Sequence, residues 1–165
     1  MGQATYLIAL GSNRLGRFGP PRRALAAALD RLPGRVIAAA RAIETSPIGP
    51  SRRRFVNSAA LVESALSPLA MLDRLKAIEA MFGRRAGRRW GPRSLDLDII
   101  LWSGGRWRTR RLTVPHAAFR TRRFVLTPAA AIAPTWRDPV GGRTLRQLHH
   151  RANRPRPVDH APRQS

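Results

Sequence analysis

The chain has 165 residues, no cysteine, and 31 Lys and Arg against 9 Asp and Glu, a formal net charge of +22. That length suits one domain with a real core, and the absence of cysteine excludes disulfides and thiolate metal sites. Neither a signal-peptide pattern at the N-terminus nor an apolar run of membrane-spanning length is present, so a cytoplasmic protein with no membrane partner is expected.

The charge is almost wholly arginine, since Lys76 is the only lysine, and arginines recur at 52–54, 84–89, 106–111 and 120–123. Such a balance admits a nucleic-acid binder, an anionic-membrane binder or an enzyme for polyanionic substrates. A compositional habit of the source genome is an alternative source of the same bias, so charge alone assigns no function.

In chain order, Thr5 to Leu10 reads as a strand ended by the turn cluster Gly11-Ser12-Asn13. Pro20 and Pro21 open a helix in which Leu25, Ala28, Leu29 and Leu32 recur at helical spacing before Pro33-Gly34. Val36 to Thr45 is expected to be a second strand, followed by the proline-bearing loop 46–51 and Arg52, Arg53 and Arg54. Phe55 to Leu66 is a third strand, with Phe55, Asn57, Ala59, Leu61 and Glu63 on one face and Val56, Ser58, Ala60 and Val62 on the other. Ser67-Pro68 caps a helix whose Met71, Leu72, Leu75, Ile78 and Phe82 precede Gly83. A Gly- and Arg-rich stretch, 84–93, leads to the next strand.

That strand carries the chemistry. Leu95, Leu97, Ile99 and Leu101 are expected on one face, with Asp96 and Asp98 side by side on the other. Adjacent carboxylates repel, and a hard divalent cation or arginines relieve this. Mg²⁺ suits one or two protein carboxylates with further ligands from water and substrate phosphate. Arg88, Arg89 and Arg93 just upstream add planar cationic forks, and Trp90 a flat surface, which together suggest polyphosphate chemistry. For an isolated Asp-x-Asp a solvated strand face would be the better reading.

Beyond it, 103–105 is a tight turn and Trp107 to Leu112 a short returning strand. Val114-Pro115-His116 is expected to open a helical stretch, Phe124 to Ala133 a helix interrupted near Pro128, and Leu145 to Leu148 a last short helix. The domain is expected to span 1–151, leaving 152–165 as a Pro- and Arg-rich disordered tail. The order strand, helix, strand, strand, helix, strand suggests an α+β domain, a ferredoxin-like antiparallel sheet packed with helices in three layers. In it the third strand and the Asp strand are expected to lie adjacent.

The stretch Arg89 to Ile100, RWGPRSLDLDII, resembles the signature of the 6-hydroxymethyl-7,8-dihydropterin pyrophosphokinases of the folate pathway. LGSN at 10–13, ETSPIGP at 44–50, FVNSA at 55–59, Ala77-Ile78-Glu79, VPH at 114–116 and RRFVLTPAAAIAP at 122–134 follow in that family's order. The resemblance implies Mg²⁺-dependent transfer of pyrophosphate from ATP to the hydroxymethyl oxygen of the pterin, releasing AMP. It implies two Mg²⁺ on Asp96 and Asp98, and ATP at Lys76, Glu79, Arg93, Ile99, His116 and Arg122. Arg84, Arg85, Arg89 and Arg93 would act as catalytic residues of a closing loop. The pterin would meet Thr45, Ser46, Pro47, Ile48, Phe55, Asn57, Trp90 and Phe124, in a slot with flat walls and a few convergent polar groups. A monomer is expected.

This sequence departs from the family at its three arginines in 51–54, its short 83–88 loop and Ala117 after His116. A Walker-type P-loop is absent, which excludes that class of kinase. Other readings are a basic ferredoxin-like RNA-binding module, a catalytically inactive scaffold relative, and another nucleotide-dependent transferase on the same fold. The RNA module requires aromatic residues alternating on central strands within a recognisable motif, and none is found. Nonspecific affinity for nucleic acid is a side effect that the charge allows.

Overall fold

The computed structural model describes residues 2–13, 18–45, 55–83 and 94–155. Strand β1 (Ala4–Ser12) lies inside an antiparallel sheet, with β4 (Phe55–Ser64) on one side and β5 (Asp96–Trp102) on the other. Strands β2 (Arg35–Ala39) and β3 (Ile43–Thr45) both pair with the far side of β4. The five-stranded sheet has the order β2-β4-β1-β5, with β3 beside β4. A small hairpin, β6 (Trp107–Arg108) and β7 (Thr113–Val114), follows β5.

Alternation along the strands divides the core into two layers. Tyr6, Ile8 and Leu10 of β1, with Val56, Ala60 and Val62 of β4, face α1 (Pro21–Leu29) and α2 (Pro68–Gly83), whose Leu25, Met71, Leu75 and Phe82 complete that cluster. Leu7, Ala59, Ile100 and Leu101 face the other way, toward α3 (Arg123–Ile132) and α4 (Leu145–Ala152), and pack with Phe119, Leu126 and Leu148. Burial of these side chains in two layers, at about 25 cal/mol per Å² of apolar surface, is what holds helices to both faces. Ser67 accepts from Ala70 N at 3.3 Å, and Thr144 with Gln147 forms a capping box on α4.

The α+β domain and its alternating faces agree with the sequence reading, and several details differ. The expected single strand 36–45 is two, β2 and β3: the register on β4 slips once inside β2, between Val36 and Ala38, and again between Ala39, opposite Ala60, and Ile43, opposite Asn57, with Ala40 N donating to Ala59 O at 2.8 Å in the break. β1 lies between β4 and β5, so the third strand and the Asp strand are not neighbours. Leu101 does not share the face of Leu95, Leu97 and Ile99. The register of β5 on β1 slips between Leu7 and Ile8, leaving Ile100 as an extra residue, and Leu101 turns to the opposite layer.

Val114-Pro115-His116 opens no helix. Val114 ends β7, and a 3-10 turn begins only at Phe119. Helix α3 runs through Pro128 because Val125, Leu126, Pro128 and Ala129 are all buried, and that packing outweighs one missing hydrogen bond. The last helix extends to Ala152, whose carbonyl accepts from Arg123 Nε at 2.8 Å. The expected tail beyond 155 lies outside the described residues. Helices cover both faces of the sheet, so no open strand platform of the RNA-module kind exists among the described residues. None of their helices is long and apolar enough to cross a membrane.

Candidate functional site

A cavity of about 310 Å³ opens on the α3 side of the sheet, lined by Ala9, Leu10, Gly11, Thr45, Phe55, Asn57, Asp96, Asp98, Arg122, Phe124 and Val125. Its floor is the central strand. Gly11 stands in register with Asn57 on β4 and with Asp96 on β5, and Ala9 with Ala59 and Asp98. Read across the sheet, an amide and a carboxylate flank a residue with no side chain. A Cβ at Gly11 would stand 3.0 Å from Asn57 Oδ1, so glycine keeps the space between the two polar groups open. Thus Asn57 and Asp96 face the same cavity from either side of Gly11 although their strands are not adjacent.

Asn57 is 6% exposed in a strand whose neighbours are mostly apolar. Its Nδ2 donates to Thr45 Oγ1 at 3.0 Å, which supplies the partner that a buried amide needs and fixes which way it points. Pairing of β3 with β4 brings this about, since Ile43 lies opposite Asn57 and Thr45 opposite Phe55. Phe55 and Phe124, both half-buried, form apolar walls from β4 and α3. Asp96 and Asp98 are exposed at the mouth. Arg122 comes from the N-cap position of α3, with its guanidinium carbon 5.8 Å from the Phe124 ring centroid. Among the described residues no cluster of three or more His, Asp or Glu forms a ready-made metal cage. Two exposed carboxylates beside open space instead fit a cation that takes its other ligands from water and phosphate.

The approach to Asp96 is held by two buried hydroxyls. Ser12 Oγ donates to the Ser94 carbonyl, and Ser94 Oγ donates at 2.8 Å to the carbonyl of Phe82 near the end of α2. Phe82 in turn stacks on Phe18, with ring centroids 4.3 Å apart.

Of the residues expected from the sequence, Thr45, Phe55, Asn57, Asp96, Asp98, Arg122 and Phe124 come together on this cavity. His116 stands off it, at the outer edge of β5, where its N–H donates to Ile100 O at 3.0 Å and its Nδ1 accepts from Ala118 N at 3.2 Å. The Ile99 side chain is buried in the opposite layer. Lys76 and Glu79 are on α2, also across the sheet from the cavity, with Lys76 Nζ 3.6 Å from the buried Glu79 Oε1. Ser46, Pro47, Ile48, Arg84, Arg85, Arg89, Trp90 and Arg93 lie outside the described residues. Sequence reasoning missed Ala9, Leu10, Gly11 and Val125 as lining residues. The run LGSN was the available signal for Gly11, yet its place between Asn57 and Asp96 exists only once the strands pair.

A sequence profile of the 7,8-dihydro-6-hydroxymethylpterin-pyrophosphokinase family matches residues 7–134. A relative from Pseudomonas aeruginosa named 2-amino-4-hydroxy-6-hydroxymethyldihydropteridine pyrophosphokinase is 45% identical over 139 residues, 81% of this chain and 83% of its own. One of the same name from Methylorubrum extorquens is 38% identical over 145 residues, 85% of this chain and 88% of its own. Among solved structures, an HPPK-DHPS in complex with substrates superposes with a TM-score of 0.72 at 14% identity, over 92% of this chain and 43% of that one. The wild-type Plasmodium falciparum HPPK-DHPS gives 0.69 at 13% identity, over 90% and 44%. The chain thus spans less than half of these solved proteins, and their likeness speaks for the fold alone. With the profile covering most of its length and relatives of such identity aligned along it, the chain belongs to the 7,8-dihydro-6-hydroxymethylpterin-pyrophosphokinase family.

Proposed function

We propose that this chain transfers the β,γ-diphosphate of ATP to the hydroxymethyl oxygen of 6-hydroxymethyl-7,8-dihydropterin, with Mg²⁺ held by Asp96 and Asp98. Family membership gives the coarser statement, a pterin pyrophosphokinase of folate synthesis. The donor, the metal and the residue roles are the proposal. The observation that carries it is the convergence of Asp96, Asp98 and Arg122 with Asn57, Phe55 and Phe124 on one cavity.

In this reading the pterin ring lies between the Phe55 and Phe124 walls, and Asn57, oriented by Thr45, hydrogen-bonds its polar edge. The hydroxymethyl group then points along the floor over Gly11 toward Asp96. The hydroxyl oxygen attacks the β-phosphorus, the bond from that phosphorus to the α,β-bridging oxygen breaks, AMP leaves, and the hydroxyl proton passes to water. Bound Mg²⁺, two ions in this proposal, would neutralise phosphate charge and favour in-line attack. Arg122 supplies a fixed cation for charge moving toward the leaving group. ATP is read as crossing the outer edge of β5, so that Ile99 and His116 meet it there and Lys76 and Glu79 lie beyond. Arg84, Arg85, Arg89, Arg93 and Trp90 would close over it, with Ser46, Pro47 and Ile48 at the pterin rim. A monomer in the cytoplasm is sufficient for this chemistry.

The test is AMP release from ATP by the purified protein with Mg²⁺, with and without 6-hydroxymethyl-7,8-dihydropterin. AMP that forms only with the pterin and stops on chelation is expected. Pterin-independent AMP release, or none from a folded protein, would remove the reading.

A further inference from the structure

The turn that carries His116 and Arg122 is tied to the rest of the protein by a pair of residues outside the cavity. Asp138, in the loop between α3 and α4, is 1% exposed. Its carboxylate accepts from Arg120 Nη2 at 2.9 Å and from Arg120 Nε at 2.5 Å, a two-pronged contact with one guanidinium. Val140 N donates to Oδ1 at 2.9 Å, so the carboxylate is also held from its own loop. The Asp138 backbone is anchored as well, its N–H donating to Arg143 O and its carbonyl accepting from Gly142 N, both at 2.8 Å. On the other partner, the Arg120 guanidinium carbon lies 4.8 Å from the centroid of the fully buried Phe119 ring.

Arg120 sits midway along a run of backbone hydrogen bonds that starts on β5 and ends on α3. His116 N donates to Ile100 O at 3.0 Å, Phe119 N to His116 O at 3.4 Å, Arg122 N to Phe119 O at 3.3 Å, and Leu126 N to Arg122 O at 2.9 Å. These bonds set spacings along the turn. The contact with Asp138 sets where the turn sits against α3 and α4. The charge of Arg120 is matched internally, whereas Arg122, two residues on, faces the cavity.

We propose that the Arg120–Asp138 pair is a positioning device for the phosphate side of the site, fixing the 116–122 turn so that His116 and Arg122 meet the nucleotide at a set separation. The inference rests on the reading of those two residues given above. The planar fork is essential, because two donors in fixed geometry define orientation, which a lysine ammonium on the same carboxylate does not. Arg120→Lys therefore keeps the charge and discards the orientation.

The experiment measures binding of a non-hydrolysable ATP analogue with Mg²⁺, and separately of the pterin, by calorimetry for wild type, Arg120→Lys and Asp138→Asn, with thermal melts of each. Expected is an analogue affinity weakened on the order of tenfold or more in both variants, as small misplacements of contacting groups cause. Pterin affinity should fall clearly less than analogue affinity, since Thr45, Phe55 and Asn57 stand on β3 and β4 and only Phe124 shares α3 with Arg122. An unchanged analogue affinity in folded Arg120→Lys overturns the proposal, as does an equal loss of both affinities, which marks a merely structural pair. Should Asp138→Asn fail to fold, Arg120→Lys decides alone. Failure of the wild type itself to bind the analogue removes the phosphate reading of His116 and Arg122, and the inference with it.

Discussion

Asp96 and Asp98 are exposed at the mouth of the cavity. Asp96→Asn or Asp98→Asn should lower AMP formation by at least about 10²- to 10³-fold, the usual effect of removing a group that acts on transition-state charge. The thermal midpoint should be unchanged, and either variant retaining full activity would end the metal assignment. Gly11→Ala is a more delicate change, because the new methyl meets Asn57 Oδ1 at 3.0 Å and turns the amide away from its bond with Thr45. Pterin affinity should fall by about five- to thirtyfold, corresponding to about 1–2 kcal/mol for one misdirected hydrogen bond. Calorimetry with the pterin alone checks this, and equal affinity would mean that Asn57 does not hold the ring. The difference between these residues is also a difference in legibility. An amide inside an apolar strand and a carboxylate pair announce themselves in one dimension. A glycine in a turn-like cluster does not, because its role comes from the strands on either side of it.

Among elements, the join between α2, β1 and β5 depends on Ser94, 4% exposed, whose hydroxyl satisfies the Phe82 carbonyl. Ser94→Ala leaves that buried acceptor without its donor and should destabilise the protein by about 1–3 kcal/mol. Ser94→Thr, which keeps the oxygen, should recover most of the loss in urea denaturation. The Asp138 loop gives a pH signature. Arg120, with help from the Val140 and Gly141 backbone N–H groups, holds the Asp138 carboxyl below its ordinary range despite burial. A carboxyl with a lowered folded pKa adds stability above its unfolded value, about pH 3.9, and loses it as pH falls through the lower folded value. Urea midpoints between about pH 5 and pH 2 should therefore fall less steeply in Asp138→Asn than in wild type; identical slopes would show that the pair does not carry this linkage. Periodicity made most elements legible. It could not reveal the break between β2 and β3 or the extra residue at Ile100, since both are properties of how two strands pair. Strand order was hidden for the same reason, and β1 separates two strands that a linear reading placed side by side.

Over the whole molecule, from Ile99 to Pro155 the sequence contains a single acidic residue, Asp138, and it is buried against Arg120. Arg106, Arg108, Arg110, Arg143, Arg146, Arg151 and Arg154 are exposed on that part of the surface. Weak, sequence-independent binding to duplex DNA is the expected consequence, falling by about 10³-fold or more between about 50 and 200 mM salt if several phosphates are contacted. A filter-binding titration at the two salt concentrations checks it, and salt-insensitive binding would point to a specific complex instead. The charge was fully legible and said little about the chemistry, because long-range fields do not report which groups converge. The two serine hydroxyls have a further consequence at this scale. Phe82 and Ser94 are fastened to each other, and Ser94 to Ser12, so the chain departs from and returns to one point beside Asp96. The two ends of the intervening segment are therefore held at a fixed separation, whatever its length. In general, doubling the length of a flexible segment between joined ends costs only about 0.6 kcal/mol. A change in the number of residues between Phe82 and Ser94 should therefore leave Asp96 and Asp98 in register on β5, since the two ends are fastened to each other and to β1 rather than held by what joins them.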